Sequence, residues 1–111
     1  MLASGVKTRI RTLNDALRQN VEDGRVILTA GVVALSLDLR HEIRHAVANF
    51  AAFDSANDPH DEHDFGAVTV GGARLFFKID YYDRSLQQHS PDPSDPAVTM
   101  RLLTIMLADE Y

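Results

Sequence analysis

The sequence predicts an α+β domain, and three observations predict it. Apolar residues recur at helical spacing in two separate stretches. Two β-rich runs flank a Gly71-Gly72 pair. An Asp95-Pro96 start signal then opens a last apolar segment. The chain has 111 residues, which is one domain spanning 1–111.

The first helix is expected over residues 4–20. Val6, Ile10, Leu13, Leu17 and Val21 fall on one stripe, with Ser4 as N-cap and Gly24 as the stop. Residues 25–30 read as a buried strand that Gly31 interrupts as a bulge or turn. A second helix follows over 37–52, with Leu39, Ile43, Ala46, Val47 and Phe50 on its apolar face. Gly71-Gly72 predicts a hairpin with a primed turn, so that residues whose numbers sum to 143 lie opposite each other. Leu75, Phe77 and Ile79 then share the core side, while Phe65 and Phe76 lie on the other, under a further helix or exposed to a partner. Residues 83–94 are a polar loop. The last segment is apolar nearly all round (Val98, Leu102, Leu103, Ile105, Met106, Leu107) and reads as a central helix. The expected order is α-β-α-β-β-α around one small antiparallel sheet.

Composition excludes several functions. There is no Cys, hence no disulfide, thiolate zinc site or cysteine nucleophile. Residues 1–7 have no apolar h-region, so no signal peptide is expected, and no apolar run reaches membrane-spanning length. A cytoplasmic location is the expectation. The net charge is −5, which argues against direct nucleic-acid binding. That charge is local: residues 54–64 hold five acidic groups and no Lys or Arg, which equals the net charge of the whole chain.

This acidic stretch is the candidate binding surface, through Asp58, Asp61, Glu62, His63 and Asp64. The hairpin register, extended, brings Lys78, Asp80 and Tyr82 beside its end. Two uses follow. A solvated acidic surface would meet a basic protein partner with no cofactor. Alternatively Glu62, His63 and Asp80 would hold a divalent metal, with Lys78 or Tyr82 stabilising negative charge in a hydrolase. A plainer reading makes the same residues a polar network that ties the loop to the sheet. The exposed hairpin edge can also pair two copies across a two-fold axis.

Other motifs carry less. His41-Glu42-Ile43-Arg44-His45 fits the zinc-protease pattern. However, Arg44 puts a cation inside it, and both histidines fall opposite the apolar stripe. A nuclease-type Glu-x-Lys is missing because Phe76 stands two residues before Lys78. No serine elbow is present, and Gly71-Gly72 is a turn, not a phosphate loop.

The segments at 57–66, 78–83, 90–93 and 103–111 (Asn-Asp-Pro-His-Asp-Glu-His-Asp-Phe-Gly, Lys-Ile-Asp-Tyr-Tyr-Asp, Ser-Pro-Asp-Pro and Leu-Thr-Ile-Met-Leu-Ala-Asp-Glu-Tyr) resemble a family of short bacterial proteins of unknown function. Residues 13–18 and 28–32 are similar to it as well. The resemblance implies no activity. It implies a setting on plasmids and other mobile elements, beside antirestriction-type genes; in that setting the short acidic chain is expected to act as an accessory or inhibitory protein.

Overall fold

The computed structural model describes residues 2–19 and 25–111. The expected stop at Gly24 and the stripe position Val21 lie outside them. The elements are α1 (Leu2–Arg18), β1 (Arg25–Leu28), α2 (Ala30–Val33), α3 (Leu37–Asn49), β2 (Phe65–Val70), β3 (Ala73–Tyr82), β4 (Met100–Leu107) and a closing 3-10 turn (Ala108–Glu110). The α+β class is therefore correct, in a single compact arrangement of helices on one sheet.

Two expectations are corrected. The last segment is a strand, and the sheet is mixed. Its order is β1-β4-β3-β2, with β1 parallel to β4 and the other pairs antiparallel. The Asp95 start signal makes only a turn: Asp95 Oδ1 accepts from Ala97 N at 2.9 Å, and Asp95 O from Val98 N at 3.3 Å. Beyond it the chain extends, because β4 is a central strand. Leu103 and Ile105 are buried on the helix side and Met106 on the other. Met100, Leu102 and Met106 on the open face are apolar too, so the run reads as continuously apolar, which is also how a buried helix reads.

The other elements differ in detail. The first helix starts at Leu2, so Ser4 sits inside it and does not cap it. Ile10, Asn14, Leu17 and Arg18 form its buried stripe, while Val6 is exposed. β1 ends at Leu28, and Gly31 lies within α2. There the Glu110 carboxylate accepts from Gly31 N at 2.9 Å and from Thr29 Oγ1 at 2.6 Å, clamping the C-terminal turn onto α2. A Cβ at position 31 would come within 2.7 Å of that carboxylate, so a larger residue there would displace the Glu110 side chain. Ser36 caps α3 by accepting from Leu39 N at 3.1 Å. α3 ends at Asn49 because Phe50 has an extended ψ of 132°.

The hairpin follows the predicted register from Phe65↔Lys78 to Val70↔Ala73. Gly71 and Gly72 have φ of 57° and 81°, as a type I′ turn demands. α1 and α3 cover the sheet face carrying Leu75, Phe77, Ile79, Leu103 and Ile105. On the opposite face Phe65 and Phe76 are covered by no helix among the described residues. They pack on each other and on the Tyr111 ring, with centroids 5.4–5.9 Å apart. Phe77 is fully buried and touches the Phe50 and Phe53 rings edge-on at 5.3 and 6.3 Å. Phe77→Ala should therefore lower unfolding free energy by about 3–5 kcal/mol in denaturant titration. Phe65→Ala, on the half-buried face, should cost clearly less.

Candidate functional site

The chain between α3 and β2 contains the acidic stretch, and its carboxylates build its own shape. Asp54 Oδ1 accepts from Ala56 N at 2.9 Å and Asn57 N at 3.0 Å, while Asn57 Oδ1 accepts from Asp54 N at 2.9 Å. Asp58 is 5 % exposed, and its two oxygens accept from Glu62 N at 2.9 Å and His63 N at 3.1 Å. Asp61 and His63 both have φ of 57°, a left-handed conformation in which a non-glycine residue needs such support. The segment is thus a tight coil wound around one buried carboxylate.

Three contacts tie this coil to α1. Arg11 pairs with Asp61 at 2.5 Å, and the Arg11 hydrogen bond holds the Asp61 carboxyl below its ordinary value. His63 Nδ1 lies 2.8 Å from Asp15 Oδ1, and its ring stacks on Phe53 with centroids 3.9 Å apart. Asn14, fully buried, donates to Glu62 O at 3.0 Å. Arg18 completes the clasp. Its guanidinium donates to Asp15 Oδ1 at 2.6 Å and to the carbonyls of Val47 and Phe50 at 2.7 and 3.1 Å, over the Phe53 ring.

A second network runs inward. Tyr81 O–H donates to Glu62 Oε1 at 2.8 Å and accepts from Asn14 Nδ2 at 2.7 Å. Arg101 Nε donates to Asn14 Oδ1 at 2.9 Å, and its terminal nitrogen donates to Pro93 O. Burial above all, with the Glu62 charge, pushes the Tyr81 phenol well above its ordinary pKa. The phenol is therefore a neutral donor across the working pH range.

The sequence-predicted residues separate into three places. Glu62 and His63 turn toward α1, through Tyr81 and Asp15. Lys78 and Asp80 pair with each other at 3.2 Å on the sheet face opposite the helices. Asp64, Asp80 and Tyr82 line a pocket of about 290 Å³ with His89. The hairpin ladder extends to Asp64, whose carbonyl accepts from Ile79 N at 2.9 Å. It goes no further. His63 turns left-handed, and the returning chain takes the next place along β3, where Ser90 N donates to Tyr81 O at 3.1 Å. Among the described residues, Asp58, Asp61 and His63 are the group whose ligand-capable atoms converge, all within 4.8 Å of one another. His41, Glu42 and His45 of the protease-like motif are exposed on α3, and Asn49 bonds the carbonyl of His45 at 2.9 Å.

Asn14, Asp15, Arg18 and Arg101 were not singled out from sequence. A signal existed on α1: Asn14 and Arg18 stand four apart, each directly after an apolar stripe position, Leu13 and Leu17. Polar residues within a buried stripe need partners.

Fold and site together define a small α+β domain with an acidic loop anchored to its first helix. The chain belongs to the family described as protein of unknown function (DUF3768), whose model matches residues 28–110. The match takes in the acidic loop, β2, β3 and β4, whereas α1 precedes it. No curated protein and no solved structure matches the chain. No helix among the described residues is long and apolar enough to cross a membrane.

The Asp64 carboxyl is half-buried, and burial first, then the Glu62 charge, raises its pKa. The folded chain therefore holds this proton more tightly than the unfolded chain. Its contribution to stability falls as pH rises through the unfolded and then the folded value, and the penalty is complete at neutral pH. Asp64→Asn should raise Tm at pH 7. The gain should vanish when the melt is repeated below the ordinary carboxylate range.

Proposed function

We propose that this chain is a small non-catalytic binding module that presents the 54–64 loop to a basic protein partner. One observation carries the reading: five acidic groups without a Lys or Arg sit in a loop fixed by buried Asp58. The Arg11 pair offsets one of those charges, and the remaining field is negative. A rigid loop loses little conformational freedom on binding, which favours affinity for a complementary surface. On this reading Asp54 and Asp61 are the exposed contacts, while Asp58 shapes the loop. The role is cytoplasmic, accessory or inhibitory, and carried by mobile elements. An acidic loop of this kind competes for a basic surface on a defence protein.

A second reading rests on the convergence of Asp58, Asp61 and His63 within 4.8 Å. Asp15 engages His63 Nδ1, which leaves Nε2 for a ligand, the arrangement that orients metal-binding histidines. A divalent ion there would serve a metal-dependent hydrolase. The metal set expected from sequence would change, with Asp58 and Asp61 in the places of Glu62 and Asp80.

One calorimetric series separates the two. Chelator-treated protein is titrated with a short Arg/Gly peptide, and separately with Mg²⁺, Mn²⁺ and Zn²⁺. The binding-module reading predicts saturable 1:1 peptide binding that weakens with salt. Asp54→Asn/Asp61→Asn should weaken it about tenfold, or ~1.4 kcal/mol, while Asp109→Asn leaves it unchanged. Stoichiometric metal binding abolished in His63→Ala, with no peptide binding, would replace this reading with the hydrolase.

A further inference from the structure

Strand β2 is an edge of the sheet, paired to β3 on one side. The bond from Ile79 N to Asp64 O makes 64 and 79 a hydrogen-bonded pair. Pairs then alternate along the hairpin, so Gly66, Val68 and Val70 direct their backbone groups at β3. The N–H and C=O groups of Phe65, Ala67 and Thr69 point outward. No hydrogen bond engages them among the described residues.

Exposed edges are normally blunted by Lys, Pro, a bulge or a covering element. β2 has no Pro and no charged residue, and its ladder is unbroken from Phe65 to Val70. On the open face β3 sets Lys78, Phe76 and Arg74 beside Phe65, Ala67 and Thr69, and Phe65 and Phe76 pack under Tyr111, itself 75 % exposed.

We infer that two copies of this chain pair through β2, antiparallel about a two-fold axis at Ala67. That axis sets Phe65 opposite Thr69 of the second copy, Gly66 opposite Val68, and Ala67 opposite itself. Each larger side chain meets a smaller one. No charge opposes a like charge along the strand, although the chain as a whole is acidic. All three outward N–H groups and all three outward C=O groups of each copy are satisfied. The small Ala67 pair at the axis lets the two Phe65–Phe76–Tyr111 clusters lie along one continuous face. A self-complementary strand explains why the occupant is a second copy: the same five residues, 65–69, supply both halves of the contact.

Sedimentation equilibrium of the full chain, from micromolar to submillimolar concentration, tests this. The expected result is a reversible monomer–dimer equilibrium. Ala67→Lys should weaken it about tenfold or more. Ala67→Pro should do the same, because residue 67 has its N–H on the solvent side and the β2–β3 bonds are kept. Both variants should keep the wild-type circular dichroism when dilute. If the proline variant fails to fold, the lysine variant and amide exchange decide. In the dimer the Phe65, Ala67 and Thr69 amides should exchange slowly, and they should exchange fast on dilution. A monomer at every concentration overturns the inference. So does a dimer that Ala67→Lys leaves unchanged, with these three amides unprotected.

Discussion

Much of this structure depends on Asn14, a polar side chain entirely buried in α1. Its amide donates to the loop carbonyl of Glu62 and to the Tyr81 phenol, and its oxygen accepts from Arg101. One side chain thereby joins α1, the acidic loop, β3 and β4. A buried amide left without partners would be destabilising by a few kcal/mol, so each of these elements is held where it satisfies Asn14. The apolar core beneath α1 and α3 supplies the driving force. The polar network selects the arrangement in which that core closes.

The acidic loop takes its form from the same economy of partners. Asp58 serves two backbone N–H groups, Glu62 serves Tyr81, and Asp61 serves Arg11. Carboxylates that look like a concentrated charged patch in the sequence are mostly structural acceptors. The loop is held in one form by these bonds and remains net negative. Asp15 and His63 add a held imidazole at the base of the loop, stacked on Phe53.

The hairpin was fully legible, because two glycines at the turn and a period-two pattern leave one register. α3 was legible from its apolar spacing and Ser36 adds the cap, although the chain leaves the helix at Phe50 and not at residue 52. β4 was not. Met100, Leu102 and Met106 make its open face apolar as well, so the sequence shows no alternation to read, and Asp95-Pro96 is sound helix-start chemistry that here closes a single turn. Without β4 as a strand, the parallel pairing to β1 could not be foreseen. At the site, the acidic segment was visible from composition alone. Its anchors on α1 lie some fifty residues away in sequence, so only the tertiary fold brings Asn14, Asp15 and Arg18 beside it. The extended register placed His63 against Asp80, and the left-handed backbone at His63 ends the ladder one residue earlier.

The acidic loop belongs to the folded core and is not a solvated tether. Native-state amide exchange at Glu62 and His63 tests it most directly, since their N–H groups are the ones Asp58 accepts. Exchange through an opening as costly as that of core amides such as Ile79 and Leu103 is the predicted result. Exchange near the rate of an unstructured loop, with the core still protected, would make the loop a solvated tether after all.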